Sequence, residues 1–181
     1  MTDNQKFPIP VDDGASSHLQ NIQIPSISLQ NQEGNLLRLD RTDTFRMIFY
    51  FFPMTGRPDM PLPKEWNRIP GANGCTLETC KFRDHYFDLI GLNAVPIGIS
   101  TQNVEYNKEM TKRLAVPFDI LSDENLELKN ALNLPTFTIK NKMYLKRLTL
   151  IIEKKIVKKV FYPIYPISEH INDLIRWLKV N

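Results

Sequence analysis

The apolar positions of this chain fall into short runs and one-sided stripes whose periods predict alternating strands and helices. Phe45 to Phe52 is almost continuously apolar and stops at Pro53, the pattern of a strand covered on both faces. Ala94 to Ser100, with Pro96 inside it, reads the same way, and Phe118 to Leu121 reads as a shorter strand. Ile24 to Leu29 and Leu36 to Leu39 flank Asn31-Gln32-Glu33-Gly34-Asn35, which predicts a hairpin around a glycine-containing turn. Leu145 to Ile152 and Ile156 to Phe161 predict a second hairpin across Glu153-Lys154-Lys155, and Thr136 to Ile139 a brief extended piece.

Helical spacing appears in four places. Phe82, Tyr86, Leu89 and Ile90 share one face of a helix expected from about Cys75 to about Ile90. A second helix is expected over roughly Asn103 to Leu114. A short third one buries Leu128, Ala131 and Leu132, takes cap chemistry from Ser122 and Asp123, and ends at Pro135. Ile171, Leu174, Ile175 and Leu178 give the stripe of a closing amphipathic helix. Residues 54–74 hold Gly56, Pro58, Pro61, Pro63, Pro70, Gly71 and Gly74, so a long, stiff loop is expected there. Loops of that length in compact domains are often functional. Residues 1 to about 21 read as an N-terminal arm, and 22–181 as one domain without internal repeats.

Strand, helix, strand, helix, hairpin and closing helix is an α/β pattern, with a mixed central sheet flanked by helices and an N-terminal β-hairpin. The thioredoxin-like fold meets that description. The chain has 181 residues, 42% hydrophobic and 24% charged, enough to bury a sizeable core. A net charge of +3 gives no argument for nucleic acid or an anionic membrane as a main partner. No apolar run approaches the roughly 20 residues of a membrane-spanning helix, and the polar first twenty residues do not read as a signal peptide. Two cysteines are too few for a secreted disulfide framework, so a reducing cytoplasm is the expected compartment.

Those two cysteines, Cys75 and Cys80, are the candidate chemistry. Cys75 opens its helix beyond the carboxyl end of a buried strand, where open α/β sheets place ligands. A helix N-terminus lowers a thiol pKa, and the thiolate is the nucleophile. At helical spacing Cys80 lies about 140° around from Cys75 and about 7.5 Å along the axis. That exceeds what a disulfide tolerates, so the two can join only if the helix partly unwinds. Arg147 is the candidate cation beside the thiol, read within the strand Leu145 to Ile152; a structural ion pair with an aspartate or glutamate is the alternative. Arg83 is a weaker candidate that a solvated helix surface explains as well. The plain alternative for the cysteines is two buried, inert small hydrophobes, since a pair five apart is not a C-x-x-C box. Zinc wants four ligands, and only His85 lies near the cysteines; a copper-carrier reading is equally poorly supported. His85 reads as a helix-surface residue, and Lys154, Lys155, Lys158 and Lys159 as a solvated hairpin edge.

The strand Phe45 to Pro53, the segment Gly74-Cys75-Thr76-Leu77-Glu78-Thr79-Cys80-Lys81-Phe82-Arg83-Asp84 and Arg147 to Ile152 together resemble the peroxiredoxins, in particular their bacterioferritin-comigratory-protein or PrxQ-like group. The resemblance runs from about residue 22 to the end. It implies a thiol peroxidase acting on hydrogen peroxide and organic hydroperoxides, with Cys75 peroxidatic, Cys80 resolving through an intramolecular disulfide, and Arg147 holding the thiolate and orienting the peroxide. It implies no metal, flavin or haem, a thioredoxin-type reductant, and a monomer or weak homodimer. The family threonine and proline before the peroxidatic cysteine are replaced here by Ala72 and Asn73, and an insertion carrying Arg57, Trp66 and Arg68 separates Pro53 from Cys75. Thr55 or Thr76 is the candidate to supply the missing hydroxyl. A thiol-disulfide oxidoreductase or redox sensor of the same fold is the alternative activity, and a non-catalytic binding module the third reading.

Overall fold

A computed structural model describes residues 7–41 and 45–181; the first six residues of the expected arm lie outside the described residues. Nine strands and five α-helices are assigned among them. The first hairpin pairs β1 (Ser28–Asn31) with β2 (Leu36–Arg38), its strands shorter than the apolar runs that announced them. β3 (Arg46–Phe51) lies mid-sheet, parallel to β4 (Ala94–Ser100) and antiparallel to β8 (Leu148–Glu153). β5 (Ile120–Ser122) runs parallel to β4, and β9 (Ile156–Phe161) closes the edge beyond β8. The resulting sheet has the order β2-β1-β5-β4-β3-β8-β9, mixed as expected and thioredoxin-like in layout.

The continuous apolar runs are explained by two buried faces. Along β3, Met47, Phe49 and Phe51 join one cluster with Leu121, Leu150 and the helical Leu128 and Leu132; Ile48, Tyr50 and Phe52 join the other. That second cluster is roofed by α1 (Cys75–Asp84), α2 (Tyr86–Gly91), α3 (Val104–Leu114) and α5 (Ile167–Val180), through Cys75, Phe82, Leu89, Met110, Ile171, Leu174 and Leu178. Because side chains alternate across a strand, each register position feeds one layer or the other.

Three expectations are corrected. The helix from Cys75 does not run unbroken to Ile90: His85 leaves helical geometry between α1 and α2, its ring 2.9 Å from the Asp88 carboxylate. The cap of the short helix α4 (Glu127–Leu132) comes from Asp123, which sits before the helix and accepts from the Leu128 and Lys129 amides at 3.0 and 2.8 Å; Ser122 belongs to β5. The apolar run from Leu145 is two strands. β6 (Thr136–Ile139) pairs with β7 (Lys142–Leu145) as a separate hairpin, turned by Lys140 and Asn141 at positive φ, and β8 begins only at Leu148. Between them the Lys146 amide bonds the Pro135 carbonyl at 2.8 Å, which leaves Arg147 at a joint rather than inside a strand.

The 54–74 loop contains a single short 3-10 turn, Trp66–Arg68. Trp66, buried, packs edge-on against Phe137 and Tyr144, so the insertion is anchored on the β6–β7 hairpin. Arg57 pairs with Asp59 on the surface.

Candidate active site

The site forms where three segments meet: the first turn of α1, the turn 71–74 before it, and the joint between β7 and β8. Gly74 has φ 92°, and a side chain there would run into Ile167 of α5; only glycine lets the chain turn into α1 this close to its neighbour. The first helical bond of α1 runs from the Glu78 amide to the Gly74 carbonyl, so the amides of Cys75, Thr76 and Leu77 have no helical acceptor and leave a positive helix end at the thiol.

Cys75 is 3% exposed and Arg147 4%. Arg147 Nη2 donates to Cys75 Sγ at 3.1 Å and to the Asn73 carbonyl at 3.0 Å, with a longer reach of 3.4 Å to the Gly71 carbonyl. Its Nη1 donates to the Glu78 carboxylate in a close, fully buried ion pair. The guanidinium thus serves both partners weighed from sequence, the thiol and a carboxylate. Glu78 has no site role in the sequence pattern above, though its place three residues after Cys75 puts it on the same helix face.

The electrostatics are a contest between desolvation and charge. Burial pushes the Cys75 thiol up, while the Arg147 charge and the Met54 amide pull it down. Burial likewise pushes the Glu78 carboxyl up to about 7 against the pull of Arg147, and Glu78 Oε1 has no partner. On the far side, His170 of α5 shares a 2.9 Å bond with the Thr149 hydroxyl, and burial, with the Arg147 charge second, holds its imidazole down at about 4.

Of the two candidate hydroxyls, Thr55 is fully buried one residue beyond Met54, and its Oγ1 has no partner. Its backbone is fixed at both ends: the amide donates to Gln102 Oε1 at 3.2 Å, and the carbonyl accepts from the Tyr106 hydroxyl at 2.6 Å. Thr76 is the second residue of α1 and half-buried. Ala72 is buried, and its carbonyl lies 3.5 Å from Cys75 Sγ. Cys80 is half-buried, and both cysteines are free thiols in the wound helix. Arg83 is drawn away from the thiol by Asp84 and the Leu114 carbonyl. His85 is partly exposed beside Asp88. Among the described residues no group of three or more metal-ligating side chains comes together, and no helix is long and apolar enough to cross a membrane.

A buried thiol at a helix start, bonded by a buried arginine, can be compared with known proteins. The family model described as Redoxin matches residues 19–174. The chain belongs to the redoxin family. It is similar to a chloroplastic peroxiredoxin Q from Populus jackii, 26% identical over 156 residues, covering 86% of this chain and 65% of that protein. It is also similar to a putative peroxiredoxin bcp from Coxiella burnetii, 31% identical over 101 residues, covering 56% of this chain and 57% of that one. The redoxin chain therefore spans less than two thirds of the length of either relative. Among solved structures, peroxidoxin BcpB from Mycobacterium tuberculosis superposes with a TM-score of 0.73 at 21% identity, covering 89% of this chain and 96% of that one. The Xanthomonas campestris bacterioferritin comigratory protein, whose structures concern its alkyl peroxide reduction, superposes with a TM-score of 0.69 at 15% identity, covering 97% and 98%. These likenesses carry the thioredoxin-like fold of peroxiredoxins.

Proposed function

We propose that this chain is a thiol-dependent peroxidase in which Cys75 is the peroxidatic residue. The observation that carries the reading is the 3.1 Å bond from Arg147 to Cys75 Sγ at the open end of α1. In the proposed cycle the Cys75 thiolate attacks one peroxide oxygen. The S–O bond forms, the O–O bond breaks, and the departing oxygen leaves as water or alcohol after taking a proton, so the thiol becomes a sulfenic acid. Arg147 steadies the thiolate and the charge that develops on the peroxide oxygens. Thr55, whose hydroxyl is buried and unpartnered and whose neighbour Met54 turns its amide to the thiol, takes the part of the family threonine absent at Ala72. Unwinding of the first turns of α1 then brings the Cys80 thiol to the sulfenic sulfur, forming a disulfide and expelling water. A thioredoxin-type dithiol reduces that disulfide through a mixed disulfide.

Stopped-flow oxidation of the reduced protein by hydrogen peroxide tests this, comparing wild type with Cys75→Ser and Cys80→Ser. Fast oxidation lost only in Cys75→Ser, with sulfenic acid accumulating in Cys80→Ser, is the expected result; equal slow rates in all three sink it. A second reading, a thiol-disulfide oxidoreductase or redox sensor, is favoured by Ala72 and by the upward push of burial on the thiol. Rapid peroxide turnover with added thioredoxin separates the two.

A further inference from the structure

We propose that residues 7–13 form the specificity-determining wall for the organic group of a hydroperoxide, latched over the site by Asp13; this rests on the peroxidase reading. Asp13 Oδ2 accepts from Lys146 Nζ at 2.6 Å, and Oδ1 accepts from the Tyr162 hydroxyl at 2.7 Å. Lys146 is the sequence neighbour of Arg147, so the latch fastens the arm one residue from the guanidinium that bonds the thiol. Lys146 and Tyr162 hold the Asp13 carboxyl well below the usual carboxylate range, so the latch stays charged at neutral pH. Three residues earlier, Pro10 packs on the turn before α1: a Cβ on Gly71 would lie 3.6 Å from the Pro10 ring. The Gly71 carbonyl is one of those that Arg147 reaches.

Between arm and site the chain leaves two cavities. One, of about 350 Å³, is bounded by Ile9 and Val11 on the arm side and by Phe137, Tyr162 and Arg147 opposite. The other, of about 230 Å³, lies between Phe7 and the Leu77, Tyr165 and Ile167 side chains at the start of α1 and α5. Among the described residues, Phe7, Ile9 and Val11 are 46%, 56% and 80% exposed, an apolar row beside the two cavities. Because Arg147 is among the residues that line the first cavity, a hydroperoxide held by its guanidinium would lay its carbon substituent along this row.

The reaction is the one already proposed: the Cys75 thiolate bonds the terminal oxygen, the O–O bond breaks, and the alkoxide leaves with a proton as alcohol. Hydrogen peroxide has no substituent and gains nothing from the wall. The ratio of the two oxidation rates therefore isolates the arm from the chemistry.

The test is single-turnover oxidation of the full-length reduced protein by cumene hydroperoxide and by hydrogen peroxide, in wild type, Ile9→Ser and Asp13→Asn. The ratio of cumene hydroperoxide to hydrogen peroxide rates is expected to fall about tenfold in Ile9→Ser, the discrimination that small apolar contacts commonly carry. It should fall similarly in Asp13→Asn, where the wall is intact but unlatched. An unchanged ratio in both variants, or both rates rising together as for a simple cover, overturns the inference while leaving the peroxidase reading intact. A wild-type protein whose Cys75 is not oxidised by hydrogen peroxide at all sinks the peroxidase reading and the inference with it.

Discussion

Arg147→Met is the substitution that asks most of the site. Methionine keeps an unbranched side chain in the buried joint but removes the charge 3.1 Å from Cys75 Sγ. A hydrogen bond to a charged group contributes about 1.5–3 kcal/mol, more than a neutral one. Without that charge the Cys75 thiol, pushed up by burial, should titrate higher still, since Arg147 pulls it down. If the same bond steadies the transition state, oxidation at a fixed pH should slow by a factor of about ten to a hundred.

The substitution also strands Glu78, and a buried carboxylate without its partner destabilises a fold by about 3–5 kcal/mol when it stays charged. Here the carboxyl is already pushed up to about 7, and without Arg147 it moves further up, so at neutral pH it protonates and the loss is smaller. Glu78→Gln and the double variant complete a cycle that separates the two partners. The assays are ultraviolet titration of the thiolate and stopped-flow oxidation by hydrogen peroxide. Arg147→Met titrating and reacting within twofold of wild type would refute a role at sulfur and leave the arginine as a counter-ion for Glu78 alone. Loss reproduced in full by Glu78→Gln would show that Arg147 acts only when the carboxylate positions it.

Thr55→Val should slow oxidation about tenfold if its hydroxyl meets the peroxide, and yet stabilise the fold by about 1 kcal/mol, because it removes a buried hydroxyl without a partner; slower oxidation with lower stability would point to a packing role instead. Gly74→Ala should cost about 1–2 kcal/mol from positive φ alone, plus the collision with Ile167, read as a lowered urea midpoint, and an unchanged midpoint would contradict the turn geometry. The pH dependence of stability should be flat by cancellation. Glu78, raised from 4.5 to about 7 in the fold, contributes stability that is full below about 4.5 and is lost as pH rises through about 7. His170, lowered from 6.5 to about 4, contributes stability that is full above about 6.5 and is lost as pH falls through about 4. Urea denaturation between those limits should therefore give a stability that falls with pH in His170→Phe and rises with pH in Glu78→Gln; parallel curves for the two variants would show that neither shift is real.

The parts of this fold that could be read from sequence are those where one physical cause acts alone. β3 and β4 were legible because burial on both faces leaves a continuous apolar run, and α1 because Cys75 and Phe82 share a buried line after a glycine turn. The break at Lys146 and Arg147 was not, because the apolar pattern from Leu145 to Ile152 runs on through it. The chain parts there for reasons distant in sequence, the Pro135 carbonyl taking the Lys146 amide and Glu78 taking the guanidinium. The β6–β7 turn carries no sequence signal for a different reason: Lys140 and Asn141 fill its left-handed positions without a glycine. The insertion hid its partner too, since Trp66 finds Phe137 and Tyr144 only in three dimensions. The arm's latch, from Asp13 to Lys146 and Tyr162, lies beyond any local pattern.

Glu78 ties these observations to the proposed cycle, because it lies on α1 between the two cysteines. Cys80 does not reach Cys75 while that stretch is helical, and the unwinding proposed to join them should draw Glu78 out of its pair with Arg147. Phe82, two residues past Cys80, is buried and stacked on Tyr50 with ring centroids 4.2 Å apart, which should anchor the rest of the helix and confine the proposed unwinding to the segment holding both thiols. Once in water, the Glu78 carboxyl returns to the ordinary carboxylate range and releases the proton it holds below about pH 7 in the fold. Disulfide formation should therefore release an extra proton in weakly acidic buffer, visible with a pH-indicator dye, and Glu78→Gln should abolish that release. Equal proton release from wild type and Glu78→Gln would mean that the helix resolves its disulfide without opening the buried pair.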